Sequence, residues 1–215
     1  MSDALTVLKS GAAGLGLQLS ETQFEQLLGY LALIQKWNKV YNLTAVRDPQ
    51  DMLTHHLLDS LTAVAPLVRH TGGRAAKVLD VGSGGGLPGI VLAICRPELE
   101  VSCVDTVGKK AAFIQQVAAS LKLPNLRGIH ARVESLSGPF DVVCSRAFAS
   151  LPDFARWSRA ALAPQGVWMA MKAKHPQAEI DALPADVQVF HVEPLAVPGL
   201  DAERCMVWLR PASVA

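Results

Sequence analysis

The chain has 215 residues, half of them apolar, and a formal net charge of +1. This length fits one domain of ordinary size with a small appendage, and the apolar share is enough for a sizeable core. No apolar run reaches the roughly 20 residues that span a bilayer, and residues 1–4 lack the pattern of a secretory signal. We therefore expect a cytoplasmic protein with no membrane partner. The net charge decides neither for nor against nucleic acid, because an RNA substrate would need only a local basic patch.

Cysteine and histidine usage argues against two kinds of site. The four cysteines, Cys95, Cys103, Cys144 and Cys205, are widely spaced and form no Cys-x-x-Cys pair. Neither a zinc site nor a disulfide framework is predicted, and we expect buried free thiols. The six histidines do not cluster with carboxylates at metal-ligand spacing, so no metal is expected.

The first seventy residues are predicted to form helices only. Residues 20–23 (Ser-Glu-Thr-Gln) fit a capping box, after which apolar residues recur at helical spacing. Asp48 and Pro49 predict the start of another helix, as an N-cap followed by a proline at the first helical position. Its apolar face is formed by Met52, Leu53, Leu57, Leu61 and Val64. We expect residues 1–70 to be a helical extension packed on the rest of the chain.

After Gly72 and Gly73 the pattern changes to short apolar strands that alternate with helices. Strands are predicted at 77–81, 101–105, 126–130, 140–145 and 167–172, and helices at 88–95, 108–122 and 151–163. This alternation predicts right-handed crossovers and a mainly parallel sheet, and hence an α/β fold. Two further apolar runs, 187–193 and 205–210, have no helix between them and predict an antiparallel hairpin at one sheet edge. Residues 71–215 are thus expected to form one compact domain around a seven-stranded sheet.

Residues 77–89 form the most informative motif. The buried strand 77–81 stops at Gly82, and a glycine-dense turn leads to Pro88, which suits the first turn of a helix. Such a turn exposes bare backbone to a ligand. Asp80 lies inside the strand, where dinucleotide-binding strands usually carry an apolar residue. Asp105 ends the next strand, where a carboxylate accepts hydrogen bonds from a ribose diol. The combination predicts a site for S-adenosylmethionine.

Other candidate residues also fall at strand ends. In an open α/β sheet the ligand lies beyond the carboxyl ends of the strands, and five such ends deliver a polar group or a glycine to one rim. They are Gly82, Gly84 and Leu87 after the first strand, Asp105 at the second, Val133 and Glu134 after the third, Arg146 at the fourth and Lys172 at the fifth. Arg146 ends its strand where substrate and cofactor are expected to meet. The alternative for Arg146 is a structural ion pair with Asp141 or Glu134. For Lys172 two roles stay open, a contact with a phosphate and a solvated strand end.

The N-terminal helices supply three more polar candidates. Asn42 and Thr44 lie between two predicted helices, and His56 lies one turn into the second of them. Taken alone, Asn42 and Thr44 are explained as residues that close the turn. His56 alone is explained as an interior histidine.

Together these segments resemble one family closely, the bacterial small-subunit ribosomal RNA guanine-N7 methyltransferase G. The likeness runs from about residue 20 to residue 210 without large gaps. It is carried by Lys36-Trp37-Asn38-Lys39, Tyr41-Asn42-Leu43-Thr44-Ala45-Val46, His56-Leu57-Leu58-Asp59-Ser60, Asp80-Val81-Gly82-Ser83-Gly84, Leu87-Pro88-Gly89-Ile90, Val104-Asp105, Gly108-Lys109-Lys110, Arg132-Val133-Glu134 and residues 145–151 (Ser-Arg-Ala-Phe-Ala-Ser-Leu). The helical N-terminal stretches are specific to this family, whereas methyltransferases in general share the glycine turn.

The resemblance implies a Rossmann-like class I methyltransferase fold and methylation at N7 of guanine 527 in 16S ribosomal RNA. It also implies S-adenosylmethionine as donor and the 16S RNA or small ribosomal subunit as partner, and we expect a monomer. By position, the residues that match the family's cofactor contacts are Gly82, Leu87, Val133, Glu134 and Arg146. Those that match its substrate side are Asn42, His56, Arg146 and Lys172, which would position the base without acting as a general base.

The chain departs from the family pattern at three positions. Gly85 stands where the family often has proline, Ala173 where it tends to have glycine, and Cys205 where histidine is common. Three rival functions stay open. They are a small-molecule methyltransferase, a non-catalytic RNA-binding module, and a nicotinamide-dependent oxidoreductase. The last is suggested because Gly84-x-Gly86-x-x-Gly89 formally matches the dinucleotide pattern.

Overall fold

A computed structural model describes residues 2–212 of the chain. The helices are α1 (Ser2–Gly14), α2 (Glu21–Tyr41), α3 (Pro49–Met52), α4 (Asp59–Leu61), α5 (Val64–Thr71), α6 (Gly89–Cys95), α7 (Gly108–Ser120), α8 (Leu151–Ser158) and α9 (Gln177–Asp181). The strands are β1 (Lys77–Val81), β2 (Glu100–Asp105), β3 (Leu126–His130), β4 (Phe140–Arg146), β5 (Leu162–Lys172), β6 (Val187–Pro194) and β7 (Cys205–Pro211). No helix in residues 2–212 is long and apolar enough to cross a membrane.

The seven strands form one sheet in the order β3-β2-β1-β4-β5-β7-β6. The first five strands run parallel, and β7 pairs antiparallel with both β5 and β6. The predicted parallel sheet with a C-terminal hairpin at its edge is therefore confirmed. Strand order reverses between β1 and β4, and the carboxyl ends of these two strands flank the crevice where open α/β sheets bind ligands.

The two faces of the sheet bury different side chains because residues alternate along each strand. Val78 of β1 packs into a cluster with the N-terminal helices, α6 and α7. Leu79 and Val81 point to the other face and pack with α8. The four cysteines are free and buried, as expected from the sequence.

Helix α2 is joined to the sheet domain through its glutamines. Ser20 and Gln23 form the predicted capping box, in which the Ser20 Oγ accepts from the Gln23 amide at 3.2 Å. The Gln23 side chain also donates to the carbonyls of Ile94 and Cys95, at 2.9 and 3.0 Å. Gln26 donates to the carbonyl of Leu121 at 3.0 Å. These bonds satisfy free carbonyls at the C-terminal ends of α6 and α7.

Two predicted helices differ from those observed. The helix that begins at Pro49 changes type along its length. The backbone is π-helical over Leu53–Leu58, and a turn follows α4 before α5 begins. The helix predicted at 151–163 ends as α8 at Ser158, followed by one 3₁₀ turn. Its last residues instead start β5, since Leu162 pairs with Phe140 of β4. A further small difference is that α6 begins at Gly89, with Pro88 at the N-cap.

Candidate active site

The turn between β1 and α6 has a path that glycine makes possible. Gly82 has φ +63°, and its amide donates to the carbonyl of Val104 at 2.9 Å, which ties the turn to β2. A Cβ on Gly82 would lie 2.1 Å from a ring carbon of Phe148. A side chain at position 82 would therefore meet both an unfavourable backbone conformation and an aromatic ring.

Asp80 lies beneath this turn rather than in a cleft. Its side chain is fully buried, and its Oδ2 accepts from the amide of Gly89 at 2.8 Å, while Oδ1 has no hydrogen-bond partner within residues 2–212. Burial raises the pKa of Asp80 to about 7, against the opposing effects of the Gly89 amide and Arg146. Predicted as a cofactor residue, Asp80 lines neither of the clefts described below.

A cleft of about 430 Å³ opens at the carboxyl ends of β1, β2 and β3. Four of the residues predicted to bind cofactor line it, namely Gly82, Asp105, Val133 and Glu134. The aromatic rings of Phe148 and Trp157, 5.8 Å apart between centroids, belong to the same wall. The cleft thus combines apolar and aromatic surface with a carboxylate at a strand end.

Asp105 holds the glycine turn and the start of α7 together. Its Oδ2 accepts from the amide of Gly84 at 3.0 Å, and its Oδ1 accepts from the amide of Val107 at 2.9 Å. Each carboxylate oxygen has a second acceptor position. Asp105 can therefore keep both backbone bonds and still accept from the hydroxyls of a ribose. Together with the aromatic wall, this fits an adenosyl group.

A second, smaller cleft of about 160 Å³ lies on the other side of the glycine turn. Six candidate residues from the sequence line it, namely Gly82, Gly84, Leu87, Thr44, His56 and Arg146. Gly82 and Ala147 line both clefts, so the two open onto the same stretch of backbone. A ligand in one cleft is therefore adjacent to a ligand in the other.

Arg146 is held by an acid that the sequence analysis did not assign to it. Its Nη1 donates to Asp59 Oδ2 at 2.8 Å and to the carbonyl of His55 at 2.9 Å. The other carboxylate oxygen of Asp59 accepts from Arg204 Nε at 3.2 Å. Asp59 is buried, and each of its two carboxylate oxygens accepts a hydrogen bond from one arginine. The ion pair considered with Asp141 or Glu134 is not formed. Asp141 instead accepts from the amide of Lys77.

His56 is a buried imidazole at the edge of the smaller cleft. Its Nε2 shares a hydrogen bond of 2.8 Å with the hydroxyl of Thr44, which also accepts from the amide of Val46. Burial, and secondly the charge of Arg146, lower the pKa of His56 to about 4. The ring is therefore neutral at physiological pH.

Comparison with known proteins identifies the family. The family model described as rRNA small subunit methyltransferase G matches residues 23–207. The chain belongs to this family. The protein named ribosomal RNA small subunit methyltransferase G of Acidovorax sp. strain JS42 is 70% identical over 214 residues, which cover 96% of this chain and 95% of that protein. The protein of the same name from Albidiferax ferrireducens is 61% identical over 224 residues and covers 100% of both chains.

Solved structures confirm the methyltransferase fold. The 1,6-didemethyltoxoflavin-N1-methyltransferase of Burkholderia thailandensis, solved with S-adenosylhomocysteine, has a TM-score of 0.58 at 18% identity. The match covers 91% of this chain and 92% of that one. The magnesium protoporphyrin IX methyltransferase of Synechocystis, solved with S-adenosylmethionine, has a TM-score of 0.60 at 14% identity and covers 85% and 97%. At such identity the likeness concerns the fold alone.

Two residues that match the family's substrate side lie outside both clefts. Asn42 has φ +50° and ends α2, and its Oδ1 accepts from Arg47 at 3.0 Å. It closes the turn, a role that suits asparagine in this backbone conformation. Lys172 donates from Nζ to the carbonyl of Ala149 and to Glu179, both at 2.8 Å.

The structure adds residues to the site that the sequence analysis did not assign a role. Asp59 is the partner of Arg146, and Phe148 and Trp157 supply the aromatic wall. The buried Tyr30 of α2 donates to the carbonyl of Gly85 at 2.6 Å, which joins the N-terminal helices to the glycine turn. Asp59 and Phe148 lie within stretches that carry the family resemblance, so a signal existed for both. Among residues 2–212, no group of three or more His, Cys, Asp or Glu is arranged to hold a metal ion.

Proposed function

We propose that this chain transfers a methyl group from S-adenosylmethionine to N7 of guanine 527 in 16S ribosomal RNA. Family membership makes it a methyltransferase for small-subunit ribosomal RNA. The atom and the base are supported by the resemblance of its N-terminal helices to the guanine-N7 enzymes. The two adjoining clefts, which share Gly82 and Ala147, carry the proposal because they allow donor and base to meet over the glycine turn.

The larger cleft suits the cofactor. We assign Asp105 to the ribose hydroxyls and Val133 and Phe148 to the adenine, with the backbone of Gly82 beneath the adenosyl group. Glu134, the residue after Val133, also lines this cleft. When bound, S-adenosylmethionine supplies a methyl group on a positively charged sulfur, which is electrophilic without further activation. The protein therefore has to align the donor rather than activate it.

The smaller cleft suits the target base. Guanine N7 carries an in-plane lone pair, so no side chain has to remove a proton from it. The neutral imidazole of His56 agrees with this, because its low pKa makes it a poor proton acceptor. Arg146 presents a fixed cation to the base and the cofactor, held by Asp59 and the His55 carbonyl. We assign Arg146 and His56 to positioning the guanine.

N7 of guanine faces the deep major groove of an RNA helix, where side chains cannot reach it. The guanine must therefore leave any helix and enter the cleft from an opened loop. The monomeric state and the cytoplasmic location stay predictions.

The test uses the purified enzyme and ribosomal RNA that lacks the modification. We expect labelled methyl groups to pass from the cofactor to 16S RNA, free or within small subunits, and borohydride–aniline cleavage to map N7-methylguanosine to position 527. Arg146→Ala is expected to lower turnover steeply while the fold stays intact.

Transfer to small amines or phenols but not to RNA would favour the small-molecule enzyme. RNA binding without methylation would favour the inert module. Calorimetry that detects NAD rather than S-adenosylhomocysteine would favour the oxidoreductase.

A further inference from the structure

The segment that joins β4 to α8, residues 146–151, forms part of both clefts. Arg146 lines the smaller cleft, Phe148 lines the larger one, and Ala147 between them lines both. Ala147 has φ +52°, a left-handed conformation that is unfavourable for a residue with a Cβ. The path of this β4–α8 segment must therefore be imposed by contacts with the rest of the protein.

Two charged side chains hold the β4–α8 segment by its backbone. Lys172 Nζ donates to the carbonyl of Ala149 at 2.8 Å and to Glu179 Oε2 at 2.8 Å. The same Glu179 oxygen accepts from the amide of Leu151 at 2.6 Å. The two backbone groups lie on either side of Ser150, the N-cap of α8. The pair therefore fixes both the end of the loop and the start of the helix.

Lys172 and Glu179 are both half-buried and belong to different elements. Lys172 ends β5, where it pairs with Cys205 of β7. Glu179 belongs to the short helix α9, which has no buried residue. Neither Lys172 nor Glu179 lines either cleft, so neither is placed to contact the cofactor or the base. Any effect of the pair on the reaction must pass through the segment it holds.

We propose that Lys172 and Glu179 are positioning residues for methyl transfer, which hold Arg146 and Phe148 in the two clefts by clamping the backbone of the β4–α8 segment. This rests on the proposed function, since it takes the two clefts to hold donor and base. It gives Lys172 a role different from the direct substrate contact expected from the sequence. It also assigns a role to Glu179, which the sequence analysis left out.

The test compares variants that remove the clamp with variants that keep it. Glu179→Ala and Lys172→Met each remove a backbone contact, and we expect each to lower kcat for RNA methylation by about 10- to 100-fold. Glu179→Gln keeps an oxygen that accepts from the Leu151 amide, so its kcat should stay within a few-fold of wild type. The double variant Lys172→Met/Glu179→Ala should be no slower than the slower single variant, because both act on one segment.

Matched controls separate the clamp from a general effect of charge on RNA. Lys174→Met removes an exposed cation two residues from Lys172, and Asp181→Ala removes an acid from the same helix as Glu179. We expect both controls to keep kcat within about two-fold of wild type. Thermal unfolding of every variant establishes that the fold is kept. If Lys172→Met fails to fold, the comparison of Glu179→Ala with Glu179→Gln decides.

A second measurement follows the segment itself, without the reaction. Hydrogen exchange should be at least ten-fold faster at the Leu151 amide in Glu179→Ala than in wild type, and close to wild type in Glu179→Gln. Amides of β1 and β2 should be unchanged. Calorimetry with S-adenosylhomocysteine should give a weaker affinity for Glu179→Ala than for Glu179→Gln, because Phe148 lines the larger cleft.

Two results would overturn the clamp. The first is faster exchange at Leu151 with wild-type kcat and cofactor affinity, which would mean that the path of the segment does not matter. The second is a Glu179→Gln variant as slow as Glu179→Ala, which would mean that the charge of Glu179 acts on its own. A wild-type enzyme that methylates no ribosomal RNA overturns the proposed function instead. Exchange and S-adenosylhomocysteine affinity in the same variants would then decide the clamp separately.

Discussion

Asp59 is buried between two arginines that come from distant parts of the chain. It accepts from Arg146 at the end of β4 and from Arg204 just before β7. Removing one partner of a buried charge network leaves the others without compensation, which costs more than a surface pair is worth. The orientation of Arg146 in the smaller cleft therefore depends on Asp59.

We predict that Asp59→Asn slows RNA methylation by about 10- to 100-fold, because an amide cannot serve two guanidinium groups as a carboxylate does. The free energy of unfolding should fall by about 1.5–3 kcal/mol, the usual contribution of a hydrogen bond to a charged group. Methylation kinetics and denaturant unfolding check both effects. The exposed Asp51→Asn in α3 is the control. Wild-type kinetics in Asp59→Asn would show that Arg146 needs no such partner.

The neutral state of His56 can be observed directly. Since burial and Arg146 lower its pKa to about 4, the imidazole should stay neutral from pH 5.5 to pH 8. NMR of histidine-labelled protein should show ring resonances of His56 that do not move across this range. Free histidine in the same buffers gives the reference for an imidazole in solvent. A His56 resonance that titrates near pH 6.5 would contradict the assignment of a neutral positioning residue.

The glycine turn offers a comparison of two glycines three positions apart. Gly82 has positive φ and the Phe148 ring beside it, whereas a Cβ on Gly85 would meet no atom of the described residues within 4 Å. We predict that Gly82→Ala lowers the free energy of unfolding by about 2–5 kcal/mol, from left-handed strain and overpacking together. Gly85→Ala should leave stability unchanged or raise it by up to about 1 kcal/mol. Denaturant unfolding measures both, and equal losses would contradict the reading of this turn.

Most strands were more predictable than helix ends, although β5 starts at Leu162 and not at the predicted residue 167. An apolar run that is followed by a glycine or ends in an acid, as at Lys77–Val81, can be assigned its first and last residues from the sequence. Helix α8 ends early for reasons that lie elsewhere in the chain. The Ser158 hydroxyl accepts from the indole of Trp168, and Leu162 pairs with Phe140. The π-helical stretch at Leu53–Leu58 also escaped prediction, because apolar spacing does not distinguish it from an α-helix over so few residues.

The candidate site likewise has residues that the sequence predicts and residues that it does not. Residues set by a strand end, such as Asp105 and Arg146, reach the clefts because the topology of a parallel sheet brings such ends together. Partners of those residues were not predictable. Asp59 is 87 positions from Arg146, and the choice between it and the nearer Asp141 depends on how the N-terminal helices dock. Tertiary packing, and not local sequence, decides such pairs.

The N-terminal helices and the sheet share one hydrophobic cluster, which runs from Leu8 and Leu27 to Val78 and Val142 without a gap at residue 70. Polar contacts cross the same boundary, since Tyr30 reaches the Gly85 carbonyl and Asp59 reaches Arg146. The helical extension therefore supplies one wall of the smaller cleft. The contacts that hold the N-terminal helices on the sheet therefore stabilise the fold and also set the geometry of the smaller cleft.

Two buried groups give that stability opposing responses to pH. The folded-state pKa of Asp80 is raised to about 7, so between pH 4 and pH 7 the folded state binds a proton that the unfolded state has lost. This group therefore lowers stability as pH rises, by up to about 1.4 kcal/mol per pH unit. His56 has a lowered folded-state pKa of about 4, so it raises stability as pH rises from about 4 to 6.5.

We predict that Asp80→Asn removes the first response and leaves the second. The stability of the variant minus that of wild type should then increase from pH 4.5 to about pH 7 and level off above it, because only in wild type does the folded state keep a carboxyl proton that the unfolded state has lost. Denaturant unfolding at four pH values measures this difference. Asp181→Asn, on the exposed helix α9, controls for the loss of one negative charge. A difference that stays constant across this range would show that the Asp80 carboxyl is ionised throughout, and the burial beneath the glycine turn would then need another compensating group.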